Sequence, residues 1–266
     1  MLKVNFSLPE VQKISLVTPR GKEWVLTQKS DHGAFLRDSG FSGLVGSPSA
    51  LVSQSVGGVG QDFHGAENGA MEGGLGITLY DLRGHGCTSV VRDFYSDFTT
   101  GEFFHLLFPF PTGQKTIKLR LSSELALPSC DPADTDLLDV DLSVVSDEGV
   151  WWSQEFYGEN NVTVTNQGHI PASPKIMWNG PGGRVILPSG ASFTLPPAPE
   201  PRFLLLGANK SLAVLDSDGN LDREVWLKVR GAALPESVPP KTSRTYTVPK
   251  GAVLFWKIGY LNPMVG

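Results

Sequence analysis

The chain reads as a mainly β protein of two successive domains, and three features of its 266 residues say so. Glycine and proline are abundant, at 30 and 20 residues, well above the roughly 12% combined usage of an average protein. Charged residues make up only 18%, against about 25% in an ordinary domain. Residues 151–197 then show the pattern directly. Val162 and Val164 alternate with Thr163 and Thr165, and Ile176 and Trp178 alternate with Lys175 and Met177. The turns Asn179-Gly180-Pro181-Gly182-Gly183 and Pro188-Ser189-Gly190 reverse the chain between such strands, so the segment builds the wall of an antiparallel β-sandwich.

Taken in order, residues 14–18 and 23–27 read as a hairpin around Pro19, Arg20, Gly21 and Lys22. After Gly40, Gly43 and Gly46, residues 57–76 are so rich in glycine that they read as a loop, mobile or pinned by neighbours. Residues 75–91 return to strand-like alternation, and 93–100 form a polar connection. The best helix candidate is 100–108. Thr99 or Thr100 suits its cap, Glu102 its first turn, and Phe103, Phe104, Leu106, Leu107 and Phe108 its apolar faces. Pro109 and Pro111 would stop it. Strands are expected at 115–121 and 137–145, separated by a Pro/Asp loop at 128–132.

A composition shift over 149–158 sets the expected division into domains 1–150 and 151–266. Further strands should follow the meander: 203–206 paired with 211–215, then 225–229 after the Asp218-Gly219 turn, then 245–248 paired with 252–258. No internal repeat of fixed period is present.

A net charge of −5 and a pI near 5.5, without a Lys/Arg cluster, argue against a nucleic-acid partner. Cys87 and Cys130 lie far apart without a CxxC context, leaving a single bridge between them open. The N-terminal residues lack an apolar core with a cleavage site, so no signal peptide is expected. No run of about 20 apolar residues is present to span a membrane. Synthesis in a cytoplasm is the expectation.

Reaction chemistry has few candidates. Asp139 and Asp141 share one face of a predicted strand, roughly 6.5–7 Å apart by strand rise. That spacing suits a paired-carboxylate hydrolase. It equally suits a solvated face with Val140, Leu142 and Val144 inward, and no further acid or positioning group points to a cleft. Asp216, Asp218, Asn220 and Asp222 recur at calcium-ligand spacing, but Gly219 comes too early for an EF-hand loop and marks a hairpin turn instead. His32, His64, His85, His105 and His169 form no HxH or HExxH pattern, and His85 beside Cys87 is too few ligands for zinc. Neither a nucleophile elbow nor a phosphate-binding glycine loop is present. Catalytic, cofactor and metal sites are therefore all expected to be absent. Trp151, Trp152, Trp178, Trp226 and Trp256, with Phe156, Tyr157 and Tyr260, concentrate late in the chain. They suit a buried core or interface, or less readily an exposed platform for sugars.

The order of these signals resembles the distal tail protein (Dit) family of long-tailed phages, especially the minor tail proteins of phages infecting actinobacteria. The resemblance rests on Pro19, Gly21, Trp24 and Leu26 in the first hairpin, then Gly40, Gly43, Gly46 and Pro48. It continues through the strand that leads from Val140 into Trp151 and Trp152. Its most specific stretch is Val164, Asn166, Gly168, Pro171, Pro174, Gly180 and Pro181, and Pro239, Pro240, Asn262 and Pro263 follow late. Met264 stands where the family often has an aromatic.

The resemblance implies an N-terminal, ring-forming belt domain followed by a galectin-like antiparallel β-sandwich. It implies a structural virion protein, not an enzyme, forming a homohexameric ring at the distal tail tip. Its partners would be the tail tube, tape-measure and baseplate hub proteins, with no nucleic acid or membrane. The rival expectation is a carbohydrate-binding adhesion module that contacts the host wall, since fold alone does not fix function.

Overall fold

The computed structural model describes residues 13–27, 30–54, 56–111, 113–207 and 212–265. Residues 1–12, where a signal peptide was sought, and Ser211, expected to open a strand, lie outside the described residues. The chain forms two compact units, Met1–Trp151 with Leu261–Val265, and Trp152–Tyr260. No described helix is long and apolar enough to cross a membrane.

Unit 1 opens with the expected hairpin, β1 (Ser15–Val17) and β2 (Glu23–Val25). Gly21 takes a φ of 80° in its turn, and its N–H donates to Thr18 O at 3.0 Å. There follow β3 (His32–Gly43), β4 (Ser49–Ser53), β5 (Asp62–Glu67) and β6 (Met71–Asp81). The helix α1 (Thr88–Asp97) leads into β7 (Phe103–Phe108), β8 (Lys115–Leu121) and β9 (Leu137–Ser146). The main sheet runs β2-β1-β7-β8-β9-β6-β3, antiparallel throughout. Its ends curl together: Leu36 on β3 donates its N–H to Leu26 O, just past β2, at 3.1 Å.

Period-two burial supplies the core, with Ile117, Leu119 and Leu121 from β8 facing Leu138, Val140, Leu142 and Val144 from β9. An aromatic chain binds α1 to the sheet. Phe94 lies 5.1 Å from Trp24 and 4.7 Å from Phe98, which meets Phe104 at 5.0 Å. Asp97, buried at the end of α1, accepts the Trp24 indole N–H at 2.9 Å and pairs with Lys22 at 2.8 Å.

Several expectations are corrected. Residues 100–108 are not a helix. Phe104 and Leu106 point inward while Phe103 and His105 point out, the period of a strand, and pairing with β1 and β8 on either side fixes it. The helix lies earlier, where strand and polar connection were expected. Val90, Val91, Phe94 and Asp97 form its buried stripe at helical spacing, although β-branched residues and an uncapped start at Cys87 hid it. Residues 57–76 are only partly loop, since β5 and the start of β6 occupy them.

The chain passes through β10 (Trp151–Ser153) into unit 2. Its elements are β11 (Phe156–Glu159), β12 (Asn161–Asn166), β13 (Lys175–Gly180), β14 (Gly183–Ile186), β15 (Ser192–Leu195), β16 (Ala198–Leu205) and β17 (Val214–Leu215). Then come α2 (Arg223–Val229), β18 (Thr242–Thr247), β19 (Ala252–Trp256) and β20 (Gly259–Tyr260). Two antiparallel sheets, β11-β19-β13-β16-β17 and β12-β18-β14-β15, enclose one core that includes Val164, Ile176, Trp178, Val185, Leu195, Leu204, Tyr246 and Leu254. Buried polar atoms are met: Trp178 donates to Pro196 O and Tyr246 to Glu236 O, each at 2.9 Å.

Three expectations fail in unit 2. Residues 151–197 are not a meander, because β12 and β14 lie in one sheet and β13 in the other, and among β11 to β15 only β14 and β15 pair as sequence neighbours. Residues 225–229 belong to α2, because Asp222 caps the Val225 N–H at 3.0 Å and Lys228 pairs with Glu224 one turn back at 2.7 Å. The strands at 245–248 and 252–258 do not pair with each other. β18 joins β12 and β14, whereas β19 joins β11 and β13 in the opposite sheet.

Candidate assembly surface

Asp139 and Asp141 do share a face of β9, but that face is open to solvent, at 57% and 78% side-chain exposure. Arg37 reaches them from β3 across β6, with Nη1 3.1 Å from Asp139 Oδ2 and Nη2 on Asp141 Oδ1. The path exists because Gly76, opposite Asp141, has no side chain; a Cβ there would lie 2.6 Å from Nη2. Thr78, opposite Asp139, donates its hydroxyl to Oδ1 at 2.5 Å. That hydroxyl, and then Arg37, hold the Asp139 carboxyl below its ordinary range. A glycosidase acid needs the opposite shift and a second carboxylate free to act. The pair braces three strands.

The acidic run near residue 216 is a turn and a helix cap. Asp216 Oδ1 accepts the N–H groups of Asp218 and Asn220 at 3.0 and 2.8 Å, and Asp222 pairs with Arg202 at 2.7 Å. Among the described residues no three His, Cys, Asp or Glu side chains gather as a metal set. Cys87 is buried, Cys130 is exposed, and both are free thiols; burial pushes the Cys87 thiol up. A cleft of about 550 Å³ in unit 1 is lined by Lys22, Trp24, His32, Tyr80, Arg83 and Asp93 among others. Three of its polar groups are engaged structurally: Lys22 with Asp97, Arg83 with Asp81, and Tyr80 Oη with the Ser30 N–H at 3.0 Å.

The tryptophans divide between core and surface. Trp151 and Trp178 are buried, while Trp152, Trp226 and Trp256 are half-buried. Among the described aromatics of unit 2, the exposed one is Tyr157, at 72%. It sits beside Phe255 on the outer face of the five-stranded sheet, where Met177, Phe203 and Val253 also project. Lys175 lies in their midst, 5.5 and 5.6 Å from the Phe255 and Phe203 rings and 3.0 Å from Glu155. The other sheet's outer face is instead a hydroxyl ladder. Thr163 meets Thr245 at 3.0 Å, Thr165 meets Ser243 at 2.9 Å and Asn161 meets Thr247 at 2.8 Å. Antiparallel sheets usually turn polar faces to water, so the first face is the one suited to docking.

The least supported element is the hairpin β4–β5. It forms a two-stranded sheet of its own, and all five β4 residues are exposed. Val52 pairs with Phe63, itself 68% exposed, and Val56 and Val59 at the tip are fully exposed. An isolated hairpin is marginal in water, and its unpaired edges invite another chain. Sequence reading missed this arm because the glycines at its tip dominated. The short apolar run Ala50-Leu51-Val52 and the lone Phe63 were the available signals.

No protein-family model matches the chain, and no curated protein matches it. Solved structures do. The Dit protein of phage SPP1, described as a paradigm of the hub adsorption apparatus in phages infecting Gram-positive hosts, superposes with a TM-score of 0.59 at 10% identity. The match covers 94% of this chain and 100% of that one. The fold is that of a phage distal tail protein. The phage P2 baseplate in its activated conformation gives TM-scores of 0.53 with Ca and 0.54 with Sr, each at 11% identity. Those matches cover 94% and 93% of this chain and 98% of each partner. At such identity the likeness is one of overall fold.

Proposed function

We propose that this chain is a structural subunit of a long-tailed phage virion that closes into a homohexameric ring at the distal tail tip. The observation that carries the reading is an end-to-end match to the SPP1 Dit fold, 94% of this chain against all of that one. The exposed β4–β5 arm suits subunit contact. Unit 1 is the ring-forming belt, and unit 2 is the galectin-like docking module. The ring joins the tail tube and tape-measure proteins above to the adhesion hub below. Catalysis has no part in this role. The motif order, which resembles that of actinobacteriophage minor tail proteins, supports a minor tail protein of that type. Light scattering on the purified chain, with negative-stain images of the same fraction, tests the proposal. Closed rings support it; a monomer that stays single even when mixed with its tail tube protein defeats it.

A second reading, a carbohydrate-binding adhesion module, is favoured by Tyr157, Phe255 and the Lys175–Glu155 pair on one open face. Retention on host-wall glycans that Tyr157→Ala abolishes without unfolding would establish it.

A further inference from the structure

Unit 1 is completed by residues that follow unit 2 in sequence, and these residues converge on the root of the arm. The first arm root, residues 44–46, is gripped from two directions. Trp151, the last residue before unit 2, donates its indole N–H to Leu44 O at 2.8 Å. Leu261, the first residue after unit 2, accepts the Gly46 N–H at 2.7 Å. The approach is close: a Cβ on Gly46 would lie 2.9 Å from Leu261 Cβ, which cannot swing away without moving the strap, and 2.8 Å from Leu261 Cδ2. The second arm root, residues 69–71, packs against the Gly149 turn, where a Cβ would strike Gly69 O. Beyond Leu261, the strap is anchored on the sheet by Lys115. Its Nζ donates to Pro263 O at 2.9 Å and also to Val265 O, and lies 3.8 Å over the Phe110 ring. Lys115 is buried to 2% exposure, so these bonds are made away from competing water.

We propose that Trp151 and the strap Leu261–Val265 form a clasp that sets the direction of the β4–β5 arm. The chain's entry into unit 2 and its exit from it thereby fix the arm's root. The proposal rests on the arm being an assembly element only for its biological meaning, not for its mechanics. A buried ammonium shared between two carbonyls cannot be replaced by a thioether without leaving both acceptors short of a donor.

The test places spin labels on the native exposed Cys130 and on Val59→Cys at the arm tip, in the full chain. Both labels lie in unit 1, and Cys87 is buried against labelling. A narrow distance distribution is expected. Lys115→Met should at least double its width, and so should Gly46→Ala, which displaces the strap by sterics alone should Lys115→Met misfold. An unchanged width in a folded variant overturns the clasp. Light scattering on the same variants separates the two claims. A broadened arm in a protein that never forms rings, wild type included, keeps the clasp and removes the ring. Rings that persist with a freely moving arm remove the arm from assembly and keep the clasp.

Discussion

Asp81 ends β6 with its side chain turned onto Arg83, whose Nε and Nη2 donate to it at 2.7 and 2.5 Å. The Arg83 hydrogen bonds, opposed by burial, bring its carboxyl down from 3.8 to about 2. A carboxylate whose folded value is depressed stabilises the fold fully above its unfolded value and ceases to do so below its folded one. The contribution of Asp81 is therefore complete above pH 3.8 and fades as pH falls toward about 2. Urea titrations of wild type and Asp81→Asn should differ at pH 6 and converge near pH 2; a constant gap would put the effect in packing instead. Asn166 shows the same economy in a neutral group. Its amide donates to Ile170 O and Val238 O at 2.8 and 2.9 Å and its oxygen accepts the Gly168 N–H at 2.9 Å. The spacing Asn166-x-Gly168, part of the family resemblance, thus has a structural reason. A longer side chain at Gly168 would strike Gly259 O.

At the scale of elements, the arm yields the sharpest prediction. Val56, Val59 and Phe63 are exposed, so Val56→Asp, Val59→Asp and Phe63→Asp should each change monomer stability by no more than about 0.5 kcal/mol. Each should nevertheless prevent ring closure in light scattering, since a charge would have to be buried against the neighbour. Rings of normal size from all three would release the arm from assembly. The strands that read correctly from sequence are those with one face inside and one outside, such as Lys115–Leu121, whose burial alternates residue by residue. Misreadings arose where composition and period disagreed. Phe103–Phe108 is an apolar run with a plausible cap before it, and its alternation emerges only from pairing with β1 and β8. Val225, Leu227 and Val229 alternate like a strand, yet the Asp222 cap and the Glu224–Lys228 pair decide for a helix. Pairing across a tight turn was legible for β1 with β2 and for β16 with β17, but the order of strands within each sheet was not. β18 and β19 are joined by a short turn and still part into opposite sheets, a choice made by the core between them.

For the whole molecule, the decisive property is that each unit carries its own core, so that, under the ring proposal, ring formation and docking are separable. Trp178 lies at the centre of the unit 2 core with its N–H bonded to Pro196 O. Trp178→Ala should cost about 3–5 kcal/mol, the usual loss for a large buried aromatic. Because the loss is confined to one core, calorimetry should show one transition moving down while the other holds its temperature. The buried position also means that loss of glycan retention in Trp178→Ala would report unfolding rather than a missing contact. Under the ring proposal, unit 1 holds the belt, so Trp178→Ala should still assemble at temperatures where unit 2 remains folded, and just above its lowered transition as well. Rings that fall apart together with unit 2, while the unit 1 transition stays in place, would assign ring closure to the sandwich and reverse the roles of the two units.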